Sequence, residues 1–152
     1  MGDLKQRLQA DLTTAMKARD ELRLATVRMA LTAVKAEEVS GKAARELGDD
    51  EVLSVLAREA KKRREAAEAF DQAGRPELAD RERAEGEVIA AYLPAQLSDE
   101  EIRKIVTAAI AETGATEQRA LGQVMKVANA HVAGRAEGGR VAAEVRRQLT
   151  TA

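Results

Sequence analysis

The ten residues Tyr92-Leu93-Pro94-Ala95-Gln96-Leu97-Ser98-Asp99-Glu100-Glu101 constrain the architecture most, because they end one helical segment, cross a proline and start another. Pro94 has no backbone donor and drives Leu93 out of helical geometry, so no regular helix continues through this point. Ser98 and Glu101 stand in the S-x-x-E spacing of a capping box, in which each side chain satisfies an amide at the start of a new helix. The segment predicts a hinge over residues 94–98, an N-terminal helical domain over 1–93 and a C-terminal domain over 99–152.

Periodicity on both sides is helical. Leu4, Leu8, Leu12, Ala15 and Met16 form one series, and Leu24, Val27, Leu31 and Val34 a second, divided by Arg19-Asp20-Glu21. After a polar loop to Gly48, Asp49 or Asp50 is placed to cap a long third helix running through Val52, Leu56, Ala60, Ala67 and Phe70 toward Gly74. Pro76 suits the first turn of a fourth helix carrying Leu78, Val88, Ile89 and Tyr92. Beyond the hinge, helices are expected near Asp99, Glu117 and Gly138, with Ile102, Ile105, Val106, Ala109 and Ile110 as the cleanest apolar stripe. The expected fold is all-α: an N-terminal helical-hairpin bundle plus a small C-terminal three-helix domain. A three-helix core of that size is marginal alone.

Composition agrees. The chain is 45% apolar and 34% charged, and Phe70 and Tyr92 are its only aromatic residues, which favours closely packed helices over sheets. A net charge of -1 argues against wholesale attraction to nucleic acid or anionic membrane. With no cysteine there is no thiolate nucleophile or Cys-based zinc site, and the chemistry fits a reducing cytoplasm. Charged residues punctuate the first 25 positions, so neither a signal-peptide core nor a membrane span is expected there.

Charge also falls where the pattern demands a core. Leu56, Arg63 and Phe70 are spaced by sevens, Glu59 stands four residues before Arg63, Glu85 lies between Leu78 and Ile89, and Arg28 sits between Leu24 and Leu31. This predicts a paired polar layer of Arg28, Glu59, Arg63 and Glu85 that fixes helix register. Lys61-Lys62-Arg63-Arg64 is less basic in space than in sequence, because consecutive residues spread around a helix and Glu65 and Glu68 can pair locally.

A catalytic centre is hard to assemble. Ser40, Ser54 and Ser98 have no adjacent base, and His131, the sole histidine, has no second ligand at metal spacing. No phosphate-binding loop motif is present. The sequence therefore offers no catalytic residue, no metal site and no cofactor site. Its best local binding candidate is the turn from Gly134 to Arg140, where glycines open the backbone ahead of a helix start and Arg135 and Arg140 add charge. The same glycines equally serve to end one helix and begin the next.

In combination, several segments resemble the YqeY-like members of the GatB/YqeY family, almost end to end. They are Leu24-Ala25-Thr26-Val27-Arg28-Met29, Val52-Leu53-Ser54-Val55-Leu56-Ala57-Arg58-Glu59 with Arg63, the Tyr92–Ser98 hinge, Leu121-Gly122-Gln123-Val124-Met125 and Val132-Ala133-Gly134-Arg135-Ala136-Glu137-Gly138. The resemblance implies an all-helical, two-part chain whose C-terminal part is similar to the tail domain of the tRNA-dependent amidotransferase B subunit. In that enzyme the tail helps recognise tRNA, while amide transfer occurs elsewhere.

The family is associated with carbon–nitrogen ligation using glutamine as amide donor, but the B subunit's catalytic body has no counterpart here. The resemblance thus implies a noncatalytic cytoplasmic module whose partners are tRNA or proteins of amidotransferase or aminoacyl-tRNA synthesis, without a membrane partner. A protein-interaction module without RNA binding and an independent amidotransferase are the alternatives. RNA contact would fall to Lys126, Gly134, Arg135, Gly138 and Arg140. Gln123 and Ala133 replace lysines usual in relatives, and Lys126 is the nearest compensating cation.

Overall fold

The computed structural model describes residues 2–151, and among them every regular element is helical. Contacts divide the chain into two compact units, one running through Leu93 and the other starting at Pro94.

The first unit contains α1 (Asp3–Ala18), α2 (Glu21–Glu38), α3 (Asp49–Gln72) and α4 (Pro76–Ala90). Arg19 adopts a left-handed conformation (φ 56°) that ends α1, and the Asp20 carboxylate accepts from Arg23 N at 3.1 Å to start α2, so the first hairpin turns in two residues. Gly48, not an aspartate, is the N-cap of α3, where Glu51 folds back to accept from Gly48 N at 3.0 Å. Asp49 instead accepts from Leu4 N at 3.1 Å, capping α1 from outside its own helix. Pro76 opens α4, where the missing donor costs no hydrogen bond. The core centres on Leu8, Val27, Val34, Val52, Leu56 and Ile89. Each is at most 1% exposed, so truncation of Leu56 to alanine would cost about 2–5 kcal/mol.

The link from α2 to α3 is anchored by a buried ion pair. Glu38, 8% exposed, accepts from Lys5 Nζ at 2.8 and 2.9 Å and from Leu47 N at 3.2 Å, which holds Leu47 in the core. These contacts lower the Glu38 pKa, the Lys5 hydrogen bond contributing most, against the cost of burial.

The second unit contains α5 (Asp99–Thr113), α6 (Leu121–Val132) and α7 (Gly138–Thr151), with a 3₁₀ turn at Gln118–Ala120. The helix expected near Glu117 therefore starts as this tighter turn. Both halves of the capping box form: Glu101 N donates to Ser98 Oγ at 3.1 Å and Ser98 N to Glu101 Oε1 at 3.2 Å. Gly114, at φ 68°, ends α5. Ile102, Val106, Val124, Ala128, Val141 and Val145 form a core of their own. The Gln118 amide donates to Arg146 O at 2.9 Å and Thr150 Oγ1 at 2.6 Å, fastening the 3₁₀ turn to α7.

Candidate functional site

The α6–α7 turn is shaped by two half-buried arginines. Ala133 and Gly134 both take left-handed geometry (φ 49° and 78°), which reverses the chain after α6. Arg135 then folds back over the helix end, donating from Nε to Val132 O at 3.0 Å and from Nη2 to His131 O at 2.7 Å. A guanidinium at a helix C-terminus satisfies free carbonyls and opposes the negative end of the dipole. Its own carbonyl accepts from Leu97 N at 2.8 Å.

Arg140, in the first turn of α7, completes the clasp. Its Nη2 donates to Leu97 O at 3.1 Å and to Asp99 Oδ1 at 2.8 Å. Both backbone groups of Leu97, which is 5% exposed, are thus bonded to the α6–α7 region. Arg135 and Arg140, both expected to meet phosphate, are engaged within the unit: Arg135 with two helix-end carbonyls, Arg140 with Leu97 O and the Asp99 carboxylate. Gly134, Gly138 and Gly139 have open space where a β-carbon would lie, leaving their backbone accessible. Lys126 is exposed on α6 and Arg146 on α7, and neither makes an ion pair with a described carboxylate within 4.0 Å.

On the same unit, Glu144 joins α7 to α5. It receives Arg147 Nε at 2.8 Å and Gln148 Nε2 at 3.1 Å, with Arg103 Nε at 3.9 Å. Gln148 also exchanges hydrogen bonds with Thr107 Oγ1 at 3.0 Å and Arg103 O at 3.1 Å. The Arg147 hydrogen bond, ahead of Gln148 and Arg103, outweighs desolvation and lowers the Glu144 pKa to about 2.

The first unit brings three of the four polar-layer residues together. Arg63, 7% exposed, donates from Nη1 to Glu59 Oε2 at 2.6 Å and Glu59 O at 3.1 Å, and its Nε lies 3.8 Å from Glu85 Oε2. Arg63 Nη2 reaches Met29 Sδ. Arg28 does not join this layer: it is exposed, one position around α2 from the residue that does. A 100° step separates the two side chains, and Met29 has the inward direction that the Leu24–Leu31 spacing suggested for Arg28. Tyr92 makes a second buried link, its hydroxyl donating to Asp11 Oδ2 while the Arg7 guanidinium lies 4.6 Å over the ring. Burial and the Asp11 bond push the phenol upward, which keeps it protonated and structural.

Two of the serine hydroxyls are taken up by local bonds. Ser98 Oγ is committed to its cap and Ser40 Oγ donates to Glu37 O at 2.8 Å. His131 is exposed. No cluster of three or more metal-ligating side chains occurs among the described residues, and no helix among them is long and apolar enough to cross a membrane. The Lys5–Glu38 pair and the links from Glu144 and Gln148 to α5 escape sequence reading because their partners lie 33 or more residues away.

Fold and site together define an all-helical chain of two compact units, each with its own core and its own ionic contacts. A family model described as "Yqey-like protein" matches residues 5–149. The chain is also 33% identical over 131 residues to "Altered inheritance of mitochondria protein 41, mitochondrial" from Clavispora lusitaniae (strain ATCC 42720), an alignment covering 84% of this chain and 75% of that relative. The chain belongs to the YqeY-like protein family.

Proposed function

We propose that this chain is a noncatalytic binding module related to tRNA-dependent amidotransferases, contacting tRNA through its C-terminal unit. The observation that carries the reading is the open Gly134–Gly139 turn, where unobstructed glycine backbone precedes the start of α7. The backbone donors and the dipole at a helix start favour phosphate. Lys126 supplies an exposed cation, while Arg135 and Arg140 position the turn. The resemblance to the amidotransferase B-subunit tail selects tRNA as the phosphate-bearing partner, in a reducing compartment such as the cytoplasm. Glutamine-dependent amide transfer belongs to a separate catalytic body in this reading.

The experiment is binding of labelled tRNA to the full chain across a salt series. Affinity should fall as salt rises, and Lys126→Ala should reduce the slope of log affinity against log salt by about one unit if Lys126 meets a phosphate. The purified chain should not amidate mischarged tRNA with glutamine. No tRNA binding at low salt would replace this reading with a protein-interaction module, and amidation by the chain would make it an enzyme.

A further inference from the structure

The outward face of α2 has the pattern of a second helix-packing surface. Its buried face places Thr26, Val27, Ala30, Val34 and Glu38 against the first unit. Ala25, Met29, Thr32, Ala36 and Val39 follow one another at alternating spacings of four and three on the exposed side. That is the spacing with which one helix seats another. Val39, the residue that closes α2, is 58% exposed, and Met29, at the inner margin of the stripe where its sulfur accepts from Arg63, still leaves 37% of its surface open; the other members are small. A helix with a single packed face would carry charge there.

Arg28 and Lys35 line one edge of the stripe, seven residues apart and both exposed. Neither makes an ion pair within 4.0 Å with a described carboxylate, although most cations of the first unit do, including Arg58 with Glu37 and Lys62 with Glu59. Across the stripe, Ala25 and Ala36 leave room for close approach. The only carboxylate on this face is Glu21, at its N-terminal end.

We propose that this face docks an amphipathic helix of another protein, one with an apolar stripe flanked by carboxylates spaced seven residues apart. A second copy of the chain is a poor occupant. Antiparallel two-fold pairing centred between Leu31 and Thr32 would oppose Arg28 to Lys35, while parallel two-fold pairing would set both cations over the small-residue edge. Neither arrangement supplies the missing carboxylates. An acidic helix meets the apolar stripe and neutralises both cations. The surface lies on the first unit and is independent of RNA binding by the second.

The probe is a pair of labelled three-heptad peptides with identical Leu seams, one with Glu and the other with Lys at the flanking e and g positions, titrated against the full chain. The wild type should prefer the acidic peptide by roughly fivefold or more, the scale of two rim charge pairs. Arg28→Glu/Lys35→Glu should reverse that preference without changing helicity, because both positions are exposed. Val39→Asp should weaken binding of the acidic peptide. Equal binding of both peptides, or an unchanged preference after charge reversal, would overturn the proposal. A wild-type dimer dissociated by Ala36→Arg would overturn it too, by assigning the face to a second copy.

Discussion

Replacing Arg63 by alanine removes the one cation that lies between Glu59 and Glu85 inside the first unit. The guanidinium is 2.6 Å from Glu59 and 3.8 Å from Glu85, and both carboxylate side chains are only 12% exposed. The first contact is a charge-assisted hydrogen bond, while the second is an ion pair beyond hydrogen-bond range. Breaking a buried pair by deleting one partner costs about 3–5 kcal/mol, since the remaining charge stays desolvated. Lys62 at 3.4 Å from Glu59 and Arg81 at 3.3 Å from Glu85 retain part of the compensation from the surface. The expected loss is therefore about 3 kcal/mol, at the lower end of that range.

Urea denaturation followed by far-UV circular dichroism measures this loss, with wild type and Arg63→Ala compared at pH 7. For a unit of this size the same loss lowers its melting temperature by roughly 12–24 °C. The two units need not melt together, so the first transition to move identifies the one affected. Glu59→Gln/Arg63→Met/Glu85→Gln removes all three charges, preserves most of the volume and should recover most of the stability. A loss below about 1 kcal/mol for Arg63→Ala would refute the buried-charge account. Failure of the triple variant to recover would count against the unpaired charge as the cause, because methionine restores the packing of the arginine stem.

Glu144 should give the second unit an acid-sensitive contribution. Its carboxyl is lowered in the fold from 4.5 to about 2, so the stabilisation is fully present above pH 4.5 and disappears as pH falls through 2. Glu144→Gln should flatten that part of a urea-midpoint profile measured from pH 7 to pH 2. An unchanged acid limb would remove Glu144 from the account. Ala133→Gly should stabilise by up to about 1 kcal/mol, because glycine relieves the left-handed penalty at φ 49°, and a rise in melting temperature checks it. Arg140→Ala should lower stability by about 1–2 kcal/mol through loss of the Leu97 and Asp99 contacts, measured by the same denaturation; an unchanged midpoint would make the clasp incidental.

Helix order was legible because it rests on local rules. Pro94 and the Ser98–Glu101 spacing mark a stop and a start, and the apolar periods specify which face each helix buries. The candidate sites divide along the same line. Glu59 and Arg63 are four apart on one helix, so their pairing follows from helical geometry, while Arg63 meeting Met29 rather than Arg28 depends on the rotation of α2. Asp49 caps a helix 45 residues away, and no local pattern distinguishes that role from capping its own. Arg135 and Arg140 read as surface charge because the carbonyls they bind are invisible until the turn and Leu97 are placed.

If the C-terminal unit meets phosphate as proposed, the arginine clasp sets the form of that contact. A guanidinium bonded to Leu97 O and Asp99 must break those contacts before it can neutralise a phosphate, losing as much structure as it gains attraction. The same bonds hold the turn in one shape, so the glycine amides require little ordering when a ligand arrives. Affinity would then come from backbone donors and Lys126, with few counterions released and a shallow salt slope. Such a contact fixes position on a phosphate backbone and carries little sequence information, because bases are not read. Selection among RNAs would have to come from surfaces away from this turn.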